Sequence, residues 1–396
     1  MAPNWYVART AQVYVKDEAS YGTAPTFAAT DAVRHLPGTK LSFNPRNPAK
    51  SPERKTHPSQ TALYTRRQTA DWALKSQMYP SGALNTLPEL AALLKNAFGA
   101  APQNITLATT FSGTPTTTGG TIASATGLVA GQMVEITIAS GGSAGTYLRR
   151  LTTAGTSAVW SPALPAAPAA GDSLKGVITW TPATALDKSM DIAHYPQAPS
   201  ANTPARELLG CVVDQVVIDL DANLEPMITF SGPAQGFAGS SPNYTPQSKP
   251  GSFTTVGAES GIPSGLTGHF YLGGTLYEIE KLQLTIKNNM ELQNTALGTA
   301  KANGYFRKGK REVTVKIDAK VSDDTTLWTP SLAMSSNEMF VQIGTTPTRM
   351  WALACPALVL TENPDIPDGS DETQNWSFSG TALGTTGNDE VILAAG

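Results

Sequence analysis

The clearest pattern in the chain is alternation of apolar and polar positions. In GKREVTVKIDAKVSDD, Val313, Val315, Ile317, Ala319 and Val321 occupy every second position, with Glu312, Thr314, Lys316, Asp318 and Lys320 between them. Side chains alternate across a strand, so this stretch predicts one face toward a core and one face carrying charge of both signs. LYEIEKLQLTIKNN repeats the arrangement: Leu282, Leu284 and Ile286 oppose Lys281, Gln283, Thr285 and Lys287. Further strands are expected at 207–223 and 224–232 (a hairpin), 338–344, 350–362, 375–383 and in DEVILAA. Nearer the start, 5–16, 36–43 and 61–79 read as extended. In the last of these Trp72, Leu74 and Met78 share a face opposite Asp71, Lys75 and Gln77.

One helix is predicted, over 86–98. Thr86 and Glu89 have the spacing of a capping box, Pro88 suits a first turn, and Leu87, Leu90, Leu94 and Phe98 form a stripe widened by Leu93 and Ala97. Lys95 suits the negative end and Gly99 the stop. Two stretches break the alternation. Residues 44–60, NPRNPAKSPERKTHPSQ, carry four prolines and no apolar period, and read as an extended loop or arm. Residues 101–185 are rich in Thr, Ser, Gly and Ala with brief strands such as MVEITI. They read as a small all-β module inserted into a domain formed by 1–100 and 186–396.

Composition sharpens this picture. The chain of 396 residues is only 15% charged, below the roughly 25% of ordinary soluble domains, and Gly and Pro are abundant, as turn-rich β structure requires. The net charge of -3 gives no global attraction to nucleic acid. The start of the chain has no apolar segment of signal-peptide type, and no run reaches the ~18 apolar residues of a membrane span. Assembly in a cytoplasm is therefore expected. Cys211 and Cys355 read as buried thiols in a reduced compartment, with a disulfide left open.

Catalytic chemistry finds little support. His35, His57, His194 and His269 have no metal-ligand spacing with one another or with Cys. Nucleophile-elbow and phosphate-loop motifs are absent, and the carboxylates at 322–324 and 369–372 read as solvated turns. No catalytic residue, metal ligand or cofactor is assigned. Charge is nevertheless unevenly placed. Arg34, Lys40, Arg46, Lys50, Arg54, Lys55, Arg66, Arg67 and Lys75 face only Glu53 and Asp71 over residues 34–75. Lys301, Arg307, Lys308, Lys310 and Arg311 make a second basic group. From 361 on, Glu362, Asp365, Asp368, Asp371, Glu372, Asp389 and Glu390 have no basic neighbour. A subunit with a basic and an acidic end attracts copies of itself head to tail.

The order of parts carries a resemblance. YGTAPT, a strand, a Pro-rich basic loop, a returning strand ending in MYPSG, the segment PELAALLKNAFG, an insert, LQLTIKNN, GKREVTVKIDAKVSDD and NWSFSG together resemble the major tail tube protein of long, non-contractile-tailed bacteriophages, over about 5–100 and 186–396. The resemblance implies a mainly β fold, a tail-tube-type β-sandwich or half-barrel flanked by one helix, with the insert on the tube exterior. It further implies homohexameric rings that stack into a tube, enclose a tape-measure protein during assembly and conduct double-stranded DNA without specific recognition. Tail-terminator and tail-tip proteins would be its other partners, the virion tail its location and the host bacterial cytoplasm its place of assembly. Arg46, Lys50, Arg54, Lys55, Arg307, Lys308, Lys310, Asp365, Asp368, Asp371 and Glu372 become candidates for ring-to-ring contact. Lys281, Gln283, Thr285, Glu312, Thr314, Lys316, Asp318 and Lys320 become candidates to face the lumen. Two other readings stand beside it: a tail-tip or terminator protein of the same fold, and a β-rich carbohydrate-binding adhesin using Trp160 and Trp180.

Overall fold

The computed structural model describes residues 11–44, 48–50, 63–65, 68–185, 188–195, 206–237, 262–320, 331, 333–362 and 375–396. The protein is mainly β. Among the described residues one sheet of 14 strands dominates. Along its main path the order is Thr275–Tyr277, His269–Leu272, Ser336–Ile343, Trp351–Glu362, Asn375–Ala382, Glu312–Lys320, Ile279–Lys287, Gln215–Asp221, Met227–Ala234, Thr69–Gln77 and Lys40–Asn44. The long Trp351–Glu362 strand forks this path. Its first half also pairs with Ile392–Ala395, and its second half with Asn375–Ala382.

A second sheet, of five strands, is ordered Gly236–Phe237, Arg206–Cys211, Met190–Tyr195, Gln12–Asp17 and Ala32–Val33. The expected 207–223 strand is thus two. The chain turns at Val212–Asp214 and leaves one sheet for the other, so Arg206–Cys211 and Gln215–Asp221 lie in different sheets. Between the sheets sits one core. Val13, Val15, Ile192 and Leu208 meet Val216, Phe230, Leu284, Val315 and Ile317 there. The apolar positions of Glu312–Lys320 are therefore inside, where each fully buried Val or Ile contributes about 1.5–3 kcal/mol.

The helix is shorter than its sequence pattern, Ala91–Phe98, and starts after Leu90 with no side-chain cap. Glu89 does not close a capping box. Its carboxylate accepts the Arg34 backbone N–H and pairs with the Arg34 guanidinium at 3.2 Å, a charge-assisted contact that outcompetes a lone N–H at a helix end. Leu87 is consequently left 51% exposed. Leu93, Leu94, Ala97 and Phe98 seal the core. Lys95 reaches across to Asp17 at 2.6 Å. Gly99 ends the helix at φ 81°, its N–H on the Lys95 carbonyl, and an added Cβ would come 2.6 Å from the Ala185 carbonyl oxygen. Gly99→Ala is expected to cost about 1–2 kcal/mol for the left-handed backbone alone, more with that clash, read as a lower urea midpoint at unchanged m.

Within 101–185, six strands close into a small barrel: Met133–Ile138, Gly145–Thr153, Ser157–Ser161, Gly119–Ile122, Ala108–Ser112 and Ser173–Gly176. Its own core includes Phe111, Val134, Ile136, Leu151, Trp160 and Leu174. The flanking strands Gln103–Asn104 and Ile178–Trp180 pair with each other as part of the large sheet, so the chain leaves for the barrel and returns from it side by side. The barrel does not hang free. Met133, Leu148 and Val177 pack on Phe340, Met350, Ala352, Ala354 and Ile392. Arg150 and Ser161 both hydrogen-bond the Glu338 carboxylate. The Gln342 amide oxygen accepts the Leu148 N–H at 3.0 Å.

Candidate assembly surfaces

Opposite the core, the large sheet carries a mostly polar face whose composition follows from strand register. Lys287 lies across from Glu312, Thr285 from Thr314, Gln283 from Lys316 and Lys281 from Asp318. On the far side of Glu312–Lys320, Thr381, Ser379 and Ser377 continue the rows. On the near side, Asp221 faces Lys281 and Asp219 faces Gln283. Cross-strand contacts tie the rows: Lys281 to Asp221 at 3.4 Å, Gln283 Nε2 to Asp219 at 2.7 Å, and Ser377 Oγ to Asp318. Lys281, Gln283, Glu312, Thr314 and Lys316 are exposed, while Thr285 and Asp318 are half-buried. The Lys320 side chain lies outside the described residues. Farther along the sheet Lys75, Asp71 and Lys40 join the same face, with Lys40 and Asp71 3.5 Å apart. Positive and negative groups are interleaved throughout, so the surface is hydrated without a basic row.

The charged clusters differ in their surroundings. Lys308 and Lys310 are exposed near the base of a short hairpin, Met290–Leu292 with Tyr305–Arg307, and Lys308 pairs with Glu291 at 3.1 Å. Arg307 is half-buried. Arg311, read from sequence as part of that basic turn, is structural. It binds Glu390 at 2.8 Å, the Asn288 side-chain oxygen and the Ala183 carbonyl, and its side chain is 4% exposed. Lys50 lies on Pro48–Lys50, which pairs with Leu63–Thr65, and its side chain is outside the described residues. Arg46, Arg54, Lys55, Asp365, Asp368, Asp371 and Glu372 also lie outside them.

A family profile described as phage tail tube protein matches residues 8–380, nearly the whole chain and all of the polar face but Thr381. The chain belongs to the phage tail tube protein family. A search of curated proteins found no match. Membership makes this a structural component of the virion tail that works in an oligomeric assembly with other tail proteins, and the mainly β architecture with its Ala91–Phe98 helix agrees with it.

Chemistry in this tail tube protein is enclosed rather than presented. Trp160 and Trp180 are both buried, the first donating to the Thr117 carbonyl and the second stacked on Trp351 at 6.1 Å, so neither offers a sugar-stacking surface. Cys211 and Cys355 are free and buried, which closes the disulfide question. His35 and His194 meet edge to face at 5.8 Å, and burial pulls both below the ordinary histidine range. Among the described residues no group of three His, Cys, Asp or Glu is arranged to hold a metal, and no helix is long and apolar enough to cross a membrane.

Sequence reading missed an acidic cluster on the outer side of the five-stranded sheet. Asp191 and Glu207, on adjacent strands, are 0% and 1% exposed. Burial, then the Glu207 charge, pushes Asp191 up to about 10. Glu18 lies nearby, taking N–H groups from Gly22 and Gly210, each at 2.8 Å, and the Ser189 hydroxyl. Tyr14, Phe27, Ala32, Ala193 and Tyr195 form an apolar cluster on this side of the sheet. A hydrolase pair needs carboxylates that reach a substrate; this one is buried.

Proposed function

We propose that this tail tube protein forms homohexameric rings that stack into the tube of a long, non-contractile tail. In this reading the tube encloses a tape-measure protein during assembly in the host bacterial cytoplasm and then passes double-stranded DNA. The observation that carries it is the polar face. A conduit for DNA must stay wet without binding phosphate, because each phosphate held by Lys or Arg adds affinity and would slow passage. Lys281, Lys287 and Lys316 stand among Asp219, Asp221, Glu312 and Asp318, so no basic row forms. Lys40–Asn44 ends the sheet with one described partner, Thr69–Gln77, which suits edge-to-edge joining around a ring. The basic loop with Arg46, Lys50, Arg54 and Lys55 and the acidic group Asp365, Asp368, Asp371 and Glu372 are assigned to ring-to-ring contact, and the barrel to the exterior. Tail-terminator and tail-tip proteins would close the two ends.

Electron microscopy of the purified 41.5 kDa protein tests the assembly. Hollow tubes are expected; a persistent monomer overturns the reading, and single rings that never stack would fit a terminator instead. The lumen assignment has its own test. Both native cysteines are buried, so Thr314→Cys and Ser140→Cys introduce the accessible thiols. A bulky maleimide is expected to label both in dispersed subunits but only Ser140→Cys in tubes. Equal labelling of Thr314→Cys in tubes refutes the lumen face.

A further inference from the structure

At the end of the large sheet where the Gln215–Asp221 and Met227–Ala234 hairpin turns, the surface opens into a groove of about 670 Å³. Leu220, Leu224, Leu266, Phe270, Leu276 and Ile343 line it. Three of these are unusually bare: Leu224 is 50%, Leu266 76% and Leu276 55% exposed. Scattered single leucines on a surface are ordinary, but several around one concavity mark a contact site. The lip is acidic, with Asp221, Glu278 and Glu280 beside a single Lys281.

Beyond the opposite end of the same sheet stands a projecting hairpin with an apolar tip. Ile279–Lys287 starts at the groove and runs nine residues, about 30 Å, to the hairpin Met290–Leu292 and Tyr305–Arg307. The tip of that hairpin presents Leu297, 98% exposed, with Phe306 42% exposed and Lys308 and Lys310 at its base. The hairpin is held firmly from below. Ala302 is buried and its carbonyl accepts Gln235 Nε2 at 2.8 Å; the Ala300 carbonyl accepts the Gln68 N–H at 3.0 Å; Lys301 Nζ reaches the Phe237 carbonyl at 3.0 Å; Tyr305 packs on Tyr21. A fixed apolar knob loses little freedom on docking.

We infer that the Leu297 tip of one subunit seats in the Leu224–Leu266–Leu276 groove of a second copy in the adjoining ring. Three observations select a second copy as the occupant. Knob and socket lie at opposite ends of one sheet, the arrangement that repeats without closing and so builds a filament. The basic base of the knob meets the acidic lip of the socket, which sets orientation and encounter rate. The family to which the chain belongs works as an assembly. The inference rests on the tube reading and assigns it a stacking contact separate from the Pro-rich loop.

Two separately tagged proteins test it, Leu297→Cys and Leu266→Cys, mixed before assembly and oxidised afterwards. A cross-linked heterodimer carrying both tags is expected in stacked tubes. Neither single variant should give it alone. In parallel, Leu297→Asp and Leu266→Asp are expected to melt like the parent and to raise the protein concentration needed for tubes at least tenfold. Tubes from the parent with no heterodimer, and with both Asp variants assembling normally, overturn the knob and socket while leaving the tube intact. A heterodimer formed in rings that do not stack also overturns it, because the contact is then lateral. A parent protein that never forms tubes removes the reading on which the inference rests.

Discussion

Arg149→Ala is expected to cost the protein about 3 kcal/mol and to loosen the barrel from the large sheet. Arg149 is 1% exposed and makes no ion pair among the described residues. Its guanidinium is held instead by acceptors and rings. One nitrogen donates to the Leu148 carbonyl at 2.7 Å and the Gln342 oxygen at 3.3 Å, the other to the Ala163 carbonyl at 3.3 Å and the Tyr271 hydroxyl at 3.4 Å. The rings of Tyr147, Tyr271 and Phe340 lie 5.3–5.6 Å from the guanidinium carbon. Burial pulls the group down from the ordinary arginine range, and the tyrosines oppose that. Truncation removes a donor from each of these acceptors, at about 1–3 kcal/mol for each one left unpaired before water enters the space; the Gln342 oxygen keeps the Leu148 N–H. A planar fork is what this site uses, so Arg149→Lys should recover less than half of the loss. Chemical denaturation measures the cost, and hydrogen exchange along Gly145–Thr153 and Ser336–Ile343 locates it. If Arg149→Lys is as stable as the parent, the forked geometry is irrelevant.

The second large effect is a dependence on pH. Asp191 is held protonated in the fold, up to about 10, whereas an unfolded aspartate ionises near about 4. Between those values the native state binds one more proton than the unfolded chain. Stability from this group is fully present below the lower value and declines through the window by up to about 1.4 kcal/mol per pH unit. Among the described residues the groups around it do not supply a compensating cation. Lys16 is opposite Asp191 in register, but its Nζ is engaged by Asp31 at 2.9 Å and the Thr26 carbonyl at 2.8 Å. Glu207 and Glu18 are acidic and also act to raise it. Tyr14, Tyr195 and Cys211 are themselves shifted upward by burial. Asp191→Asn keeps the shape without an ionisable proton. Thermal melts across pH should show the variant gaining on the parent as pH rises from 5 to 9, with the two converging in acid. Parallel melting curves over that range would sink the assignment.

Local alternation made much of the framework legible. Glu312–Lys320 and Ile279–Lys287 have one wet face and one dry face, and that contrast is written in period 2 whatever the partner strands are. What was not legible depended on distant chain. Glu89 looked like a capping residue because its real partner, Arg34, is 55 positions away. Asp191 alternates with Met190 and Ile192 as an outward-facing residue should, and burial on its own side of the sheet makes it an interior one. Arg149 was only one charged residue in a polar module until Phe340 and Gln342 closed over it. The polar face could be read from the strands; the groove could not, because it joins the 222–226 turn, the Gly265–Thr267 turn and the His269–Leu272 strand.

The side-by-side exit and return of the chain at the barrel has a consequence for engineering. Asn104 and Ile178 are register partners, so residues 105–177 hang from two neighbouring points of the large sheet. Such a junction resembles a display port, where a foreign domain with adjacent termini would be grafted in place of the barrel. The port is not neutral, however. Lifting the barrel away uncovers Phe340, Met350, Ala352 and Ala354 and strands Gln342 and Glu338 without their partners. A cargo that merely spans the gap would leave a sticky, unpaired patch on every copy of the subunit. A usable graft must therefore carry its own footing for that patch, or the patch must be rewritten with it.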